Sequence, residues 1–146
     1  MGPIDHGLPK TPALTVDCVI CDPDERVLLI RRKNEPFKGA FALPGGFVDL
    51  GETVEVACRR EVREETGLSV ADLTLLGVYS DPGRDPRGHT VSVVFMARLS
   101  SAEPPMAGDD ADTAEWVADW RAQRLAFDHA KILEDAAHLE AKRARD

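Results

Sequence analysis

The sequence has no uninterrupted apolar run near the roughly 18 residues that a membrane span requires. Its opening stretch, Gly2-Pro3-Ile4-Asp5-His6-Gly7, has neither the basic start nor the apolar middle of a secretory signal. No membrane partner is expected, and the cytoplasm is the expected location. Positive charge is in deficit. Lys+Arg total 18 against 26 Asp+Glu, a formal net charge of −8, so the long-range field repels phosphate backbones and no nucleic-acid partner is expected. Cysteine is scarce as well, with Cys18, Cys21 and Cys58 too few for a disulfide framework, which fits a reducing compartment. The Cys18-Val19-Ile20-Cys21 spacing lies in an apolar, β-branched run. On a strand, residues three apart face opposite ways, so buried thiols are expected rather than a metal or redox pair.

What is present suits one globular domain. A chain of 146 residues, 43% hydrophobic, can bury one core and is too apolar for disorder. The ten prolines mark the loops, because proline is excluded from helix interiors and central strands. Pro3, Pro9 and Pro12 set off an N-terminal arm, residues 1–13, from a single domain expected over 14–146. Within that domain Leu14–Cys21 and Val27–Arg32 read as a hairpin around Asp22-Pro23-Asp24-Glu25. Leu73–Tyr79, Thr90–Leu99 and Glu115–Ala118 read as further strands, the second of them central. One helix is expected over Val54–Thr66, capped by Thr53 and stopped by Gly67. Another starts near Asp128 and carries Ile132, Leu133, Ala136 and Leu139 on one stripe. Hairpins mixed with helices point to an α+β or mixed-sheet α/β sandwich rather than a doubly wound parallel sheet.

The first helix carries the chemistry. At 100° per residue, Val54, Ala57 and Cys58 form an apolar stripe that continues in register through Glu61, Glu64 and Glu65. Three carboxylates fanned over about 100° repel one another. They lie on the side that should face the protein, near the negative end of the helix dipole, and so ask for a cation. An all-oxygen ligand set suits Mg²⁺ or Mn²⁺ rather than zinc. Just upstream, Leu43-Pro44-Gly45-Gly46-Phe47 is a glycine-rich approach that permits close contact with a ligand.

Gly46, Glu52 and the run Arg60-Glu61-Val62-Arg63-Glu64-Glu65-Thr66-Gly67-Leu68 stand at the spacing of a Nudix box over residues 46–68, and the chain resembles a Nudix hydrolase. The resemblance implies an α/β/α sandwich with a mixed sheet and metal-dependent hydrolysis of a nucleoside diphosphate linked to another group. By position it implies Glu61, Glu64 and Glu65 as catalytic metal ligands, with Gly46 contributing from its backbone. Glu52 and Arg60 are implied as a supporting ion pair. Asp110, in the acidic loop before the Glu115 strand, is expected as an extra ligand or base, with Glu115 as the alternative. Arg32, among the cations ending the second strand, is expected to meet phosphate.

The loop Ser80–His89 sets the expected substrate class. Its Gly83–Thr90 stretch superficially resembles a phosphate-binding Walker loop, but His89 stands where lysine is required and a strand follows where a helix should. Pro82 instead lies fifteen residues beyond Gly67, a spacing that resembles the ADP-ribose pyrophosphatase subgroup. Pro82, Arg84 and Arg87 are therefore expected to bind substrate, with ADP-ribose hydrolysed to AMP and ribose 5-phosphate. The alternatives are a Nudix enzyme acting on a normal or oxidised nucleoside triphosphate, and a module that senses an NAD metabolite. The intact acidic cluster favours catalysis, as does the end of the sequence at Asp146 without the winged helix of such sensors. The expected partner is a small nucleotide, and the assembly considered is a homodimer.

Overall fold

In the computed structural model residues 7–145 are described; the first six residues of the expected N-terminal arm, and Asp146, lie outside them. The chain runs β1 (Ala13–Cys21), β2 (Val27–Arg32), β3 (Phe41–Ala42), β4 (Gly45–Phe47), α1 (Val54–Thr66), β5 (Thr74–Tyr79), β6 (Thr90–Arg98), β7 (Ala111–Val117) and α2 (His129–Arg145), with a 3-10 turn at Trp120–Ala122. The period-2 geometry of β1 divides the core. Val16, Cys18 and Ile20 join Ala57, Cys58 and Val62 of α1 on one face. Val19 and Cys21 join Ile132, Leu133 and Ala136 of α2 on the other. The two cysteines thus separate to opposite faces as thiols, Cys18 buried and Cys21 partly so. Two helices flank a mixed sheet, as expected. Ile132 and Leu133, both almost fully buried, each contribute roughly 1.5–3 kcal/mol of transfer free energy.

The sheet order is β3-β2-β1-β6-β5. β1 and β6 pair in parallel from Ala13↔Thr90 to Cys21↔Arg98, which makes β6 an inner strand. The expected β1–β2 hairpin forms only at its turn, where Cys21 faces Val27. There Asp22 accepts the Asp24 and Arg26 N–H groups, both at 2.9 Å. Below the turn the strands part. β2 runs antiparallel to β7 from Val27↔Val117 to Arg32↔Ala111, while β1 takes β4 from Thr15↔Phe47 to Asp17↔Gly45. The fork between them opens the cleft described below.

Three strand features differ from the sequence reading. β7 begins at Ala111 rather than Glu115, because pairing with β2 draws the polar Asp112-Thr113 into the ladder despite weak local strand character. β3 and β4 are too short, and β4 too glycine-rich, to register as periodic strands. The limits of α1 match the reading. Thr53 Oγ1 accepts the Val56 N–H at 3.1 Å, and Gly67 ends the helix at φ 72°, its N–H donating to Arg63 O. At α2 the Asp128 backbone carbonyl accepts the Ile132 N–H as a cap residue should, but its carboxylate is turned to Arg84.

Candidate active site

A cleft of about 380 Å³ lies in the β1/β2 fork, and its walls have unlike chemistry. Glu61 and Glu65 of α1 line it with Gly45, Gly46 and Phe47 of β4. Arg60 organises this wall. Its Nε and Nη2 donate to the two carboxylate oxygens of Glu52 at 2.7 and 2.9 Å, and Nη2 also reaches Phe47 O at 3.0 Å. Nη1 donates to Glu61 Oε1 at 2.8 Å and to Glu64 Oε2 at 3.1 Å. The fork therefore ties the approach loop to the helix and partly neutralises its acidic face. The Arg60 hydrogen bonds hold Glu52 below the usual carboxylate range. Burial raises Glu61 despite Arg60. Glu65 is the most enclosed of the three: burial, then the neighbouring charge of Glu61, pushes it up to about 9, although the Gly45 N–H donates to it at 3.3 Å.

The opposite wall is basic and aromatic. Arg32 and Arg87 lie over the Phe127 ring at 5.0 and 5.8 Å from its centroid, and Arg87 also lies 5.8 Å from the Phe47 centroid. Arg32 Nε donates to Pro36 O at 2.6 Å. Arg87 is held by Asp85 through Nε at 3.1 Å and Nη2 at 2.8 Å, with half its side chain exposed. Phe127 adopts φ 52°, a left-handed conformation uncommon for a bulky residue. Arg84 also lines the cleft, yet its side chain is only 5% exposed and its fork is occupied by Asp128, at 3.0 and 2.8 Å, and by Thr90 Oγ1 at 2.8 Å.

At the floor sit two residues that the sequence reading did not single out, Asp17 and His129. Asp17 Oδ2 accepts the Ser92 hydroxyl at 2.5 Å, and burial raises this carboxyl to about 7. His129 Nδ1 accepts the Leu43 N–H at 3.0 Å, and burial lowers the imidazole to about 3, so it is neutral. The available signal for Asp17 was one charged residue inside an otherwise apolar strand.

Of the residues expected at the site, Gly46, Glu61, Glu65, Arg32, Arg84, Arg87 and Asp110 line the cleft. Glu64 stands at its edge through Arg60. Glu52 and Arg60 pair as expected. Pro82 is exposed and outside the cleft lining, so it can act only by shaping the loop that carries Arg84 and Arg87. Glu115 turns away, accepting the Thr113 hydroxyl at 2.7 Å with Arg31 3.8 Å off.

The donor set fits a divalent cation. A Cβ at Gly46 would fall 2.6 Å from the Glu61 carboxyl carbon, so only glycine leaves this space beside the acidic face open. The donors are oxygens throughout, as a hard cation prefers. Among the described residues no three acidic, histidine or cysteine side chains already form a cage. Glu61 and Glu64 instead close on Arg60.

The NUDIX domain family matches residues 11–136. The chain is 56% identical to an ADP-ribose pyrophosphatase of Methanocaldococcus jannaschii over 124 residues, 85% of this chain and 72% of the relative. It is 36% identical to an ADPR responsive transcriptional repressor of Acinetobacter baylyi over 86% of this chain and about half, 53%, of the repressor. Among solved structures it is similar to the NUDIX domain of Shewanella oneidensis NrtR in complex with ADP ribose, with TM-score 0.81, 33% identity and 88% of each chain covered.

Proposed function

This chain belongs to the NUDIX domain family, a family of hydrolases that generally use divalent metals, and from that premise we propose that it cleaves the pyrophosphate of ADP-ribose to AMP and ribose 5-phosphate with Mg²⁺ or Mn²⁺. The observation that carries this reading is the pairing of unlike walls across one cleft, carboxylates on α1 against arginines and Phe127 opposite. A nucleoside diphosphate sugar needs both: cations that offset its phosphates, and planar faces and donors for its base and riboses. The likeness to an ADP-ribose pyrophosphatase supports the substrate.

Glu61, Glu64, Glu65 and the Gly46 carbonyl would hold the cation, which supplies charge neutralisation and acidifies a bound water. Arg60 and Glu52 keep that acidic face against the Gly46 approach. Arg87 and Arg32 provide guanidinium donors for phosphate or ribose oxygens, and Phe127 and Phe47 provide flat apolar faces for the base. Asp110, which lines the cleft, would take the proton of the attacking water. Little further covalent work is required of the protein for an in-line displacement at phosphorus. Free thiols at Cys18, Cys21 and Cys58 support a reducing, cytoplasmic setting. The single domain over 14–146 belongs to the same reading.

The test is product analysis with ADP-ribose and a panel of nucleoside triphosphates, 8-oxo-dGTP included. ADP-ribose should give AMP and ribose 5-phosphate with the highest kcat/KM. A triphosphate with a higher value would refute the substrate assignment, and binding of ADP-ribose without turnover in Mg²⁺ or Mn²⁺ would favour a sensing role.

A further inference from the structure

The segment that leads into α2, residues 124–128, runs along the edge of β3 and continues its ladder. The Phe41 N–H donates to Arg124 O at 3.0 Å, and the Ala126 N–H donates to Phe41 O at 2.8 Å. The next donor facing this edge is the Leu43 N–H, and it meets a side chain, His129 Nδ1 at 3.0 Å, in a buried contact. From Leu43 the chain reaches the acidic wall in three residues. Pro44 O accepts the Cys18 N–H at 2.9 Å, the Gly45 N–H donates to Glu65, and Gly46 lies against Glu61. One imidazole therefore sets the start of a turn whose other end touches the two α1 carboxylates that line the cleft.

We propose that His129 is a positioning residue for hydrolysis, its Nδ1 serving as the acceptor that fixes Leu43 and, through Pro44 and Gly45, the placement of Gly46 against Glu61 and Glu65. This rests on the Nudix hydrolase reading of the cleft. Because Nδ1 accepts, the ring proton sits on Nε2, which points towards Asp17 Oδ1 at 3.6 Å. Asp17 is itself oriented by Ser92 from β6 and pairs in register with Gly45. The ring is thus hydrogen-bonded through Nδ1 to the turn it positions, while Nε2 faces the strand that the turn pairs with. Burial keeps the imidazole neutral, with its pKa lowered to about 3, so the acceptor persists through the working pH range. An unpaired Leu43 N–H in this buried place would be costly, and the turn would shift to find another partner.

The test compares Asn, Gln and Phe at position 129. Asn places its amide oxygen near the site of Nδ1, Gln places one nearer Nε2, and Phe keeps the ring without an acceptor. ADP-ribose turnover and Mn²⁺ affinity without nucleotide are measured for each, beside thermal unfolding. His129→Asn should stay within about threefold of the parent in kcat and Mn²⁺ affinity. His129→Gln and His129→Phe should lose at least about tenfold in both, with KM changed less than kcat. If the Phe variant does not fold, the ranking of Asn above Gln decides. Equal losses for Asn and Gln would reduce the ring to packing and overturn the proposal. A raised KM with kcat unchanged would make His129 a substrate contact and overturn it as well. Absence of ADP-ribose turnover by the parent protein would instead overturn the assigned substrate, and the Mn²⁺ ranking would still judge His129.

Discussion

The two helices serve one cleft by opposite means. α1 turns a continuous stripe inward that begins apolar, at Ala57 and Cys58, and ends acidic, at Glu61 and Glu65, so packing and chemistry share one face of one helix. α2 buries Ile132, Leu133 and Ala136 and brings only its first residue, His129, to the cleft. The functional part of the α2 side is the irregular approach to it, where Phe127 and Asp128 contact arginines from distant strands and loops. A site written along one helix has a periodicity; a site assembled from a loop and three other segments has none. The same comparison separates ligand holding from substrate discrimination, because the acidic wall suits any metal-bound diphosphate while the arginine and phenylalanine wall meets the remainder of the substrate.

Substitution on α1 should have the largest effects. Glu65→Gln keeps the size of the side chain but cannot ionise to hold a cation, and should lower kcat by at least about 100-fold without lowering Tm. Glu64→Gln should act in the same direction. Paired kinetics and thermal melts check both, and full activity in the two variants would place the ligands elsewhere. Arg60→Ala should lower kcat at least about tenfold and also lower Tm, since it releases Glu52, Glu61 and Glu64 together. The combined loss distinguishes an organising residue from a ligand.

The opposite wall should divide. Arg84 and Arg87 look alike in sequence, yet one is buried with its fork occupied and the other is half exposed. Arg84→Ala should cost about 3 kcal/mol in denaturant unfolding by stranding Asp128. Arg87→Ala should cost less stability and act chiefly on KM for ADP-ribose, because Asp85 keeps the Arg87 backbone N–H at 2.9 Å. Equal stability losses would erase this distinction.

The smallest effect expected is on pH dependence. Glu65 has a folded-state pKa of about 9, above its ordinary 4.5, so the folded state holds its proton more tightly. Its contribution to stability is complete below the ordinary value and is lost as pH rises through about 9. In chelator, Tm should therefore fall between pH 7 and 9, a window above the titration of His129. Glu65→Gln should flatten that slope, and an unchanged slope would assign it to another group.

Legibility in the sequence followed the same division. The limits of α1 and its acidic register are local, set by a cap, a C-terminal glycine and residue spacing, and they could be read directly, whereas the Glu52–Arg60 pair came from the resemblance to the family's box. The sandwich was read from hairpins mixed with helices, and the division of the core between the two faces of β1, one on α1 and one on α2, agrees with it. The parting of β1 from β2, the early start of β7 and the strands at Phe41 and Gly45 depend on partners remote in sequence. Asp17, Phe127 and His129 were missed for that reason. None belongs to a charge run or a spaced motif, and each gains its role only when the fork brings it to the cleft.

The central claim is that metal holding and nucleotide recognition reside on separate walls. Calorimetric titration of Mn²⁺, and then of ADP-ribose in the presence of Ca²⁺ as a less activating cation, into the parent protein, Glu65→Gln and Arg87→Ala tests it most directly. Glu65→Gln should lose at least about tenfold in Mn²⁺ affinity, while Arg87→Ala keeps it and loses affinity for ADP-ribose. Equal loss of Mn²⁺ affinity in both variants, or unchanged Mn²⁺ affinity in Glu65→Gln, would contradict the account.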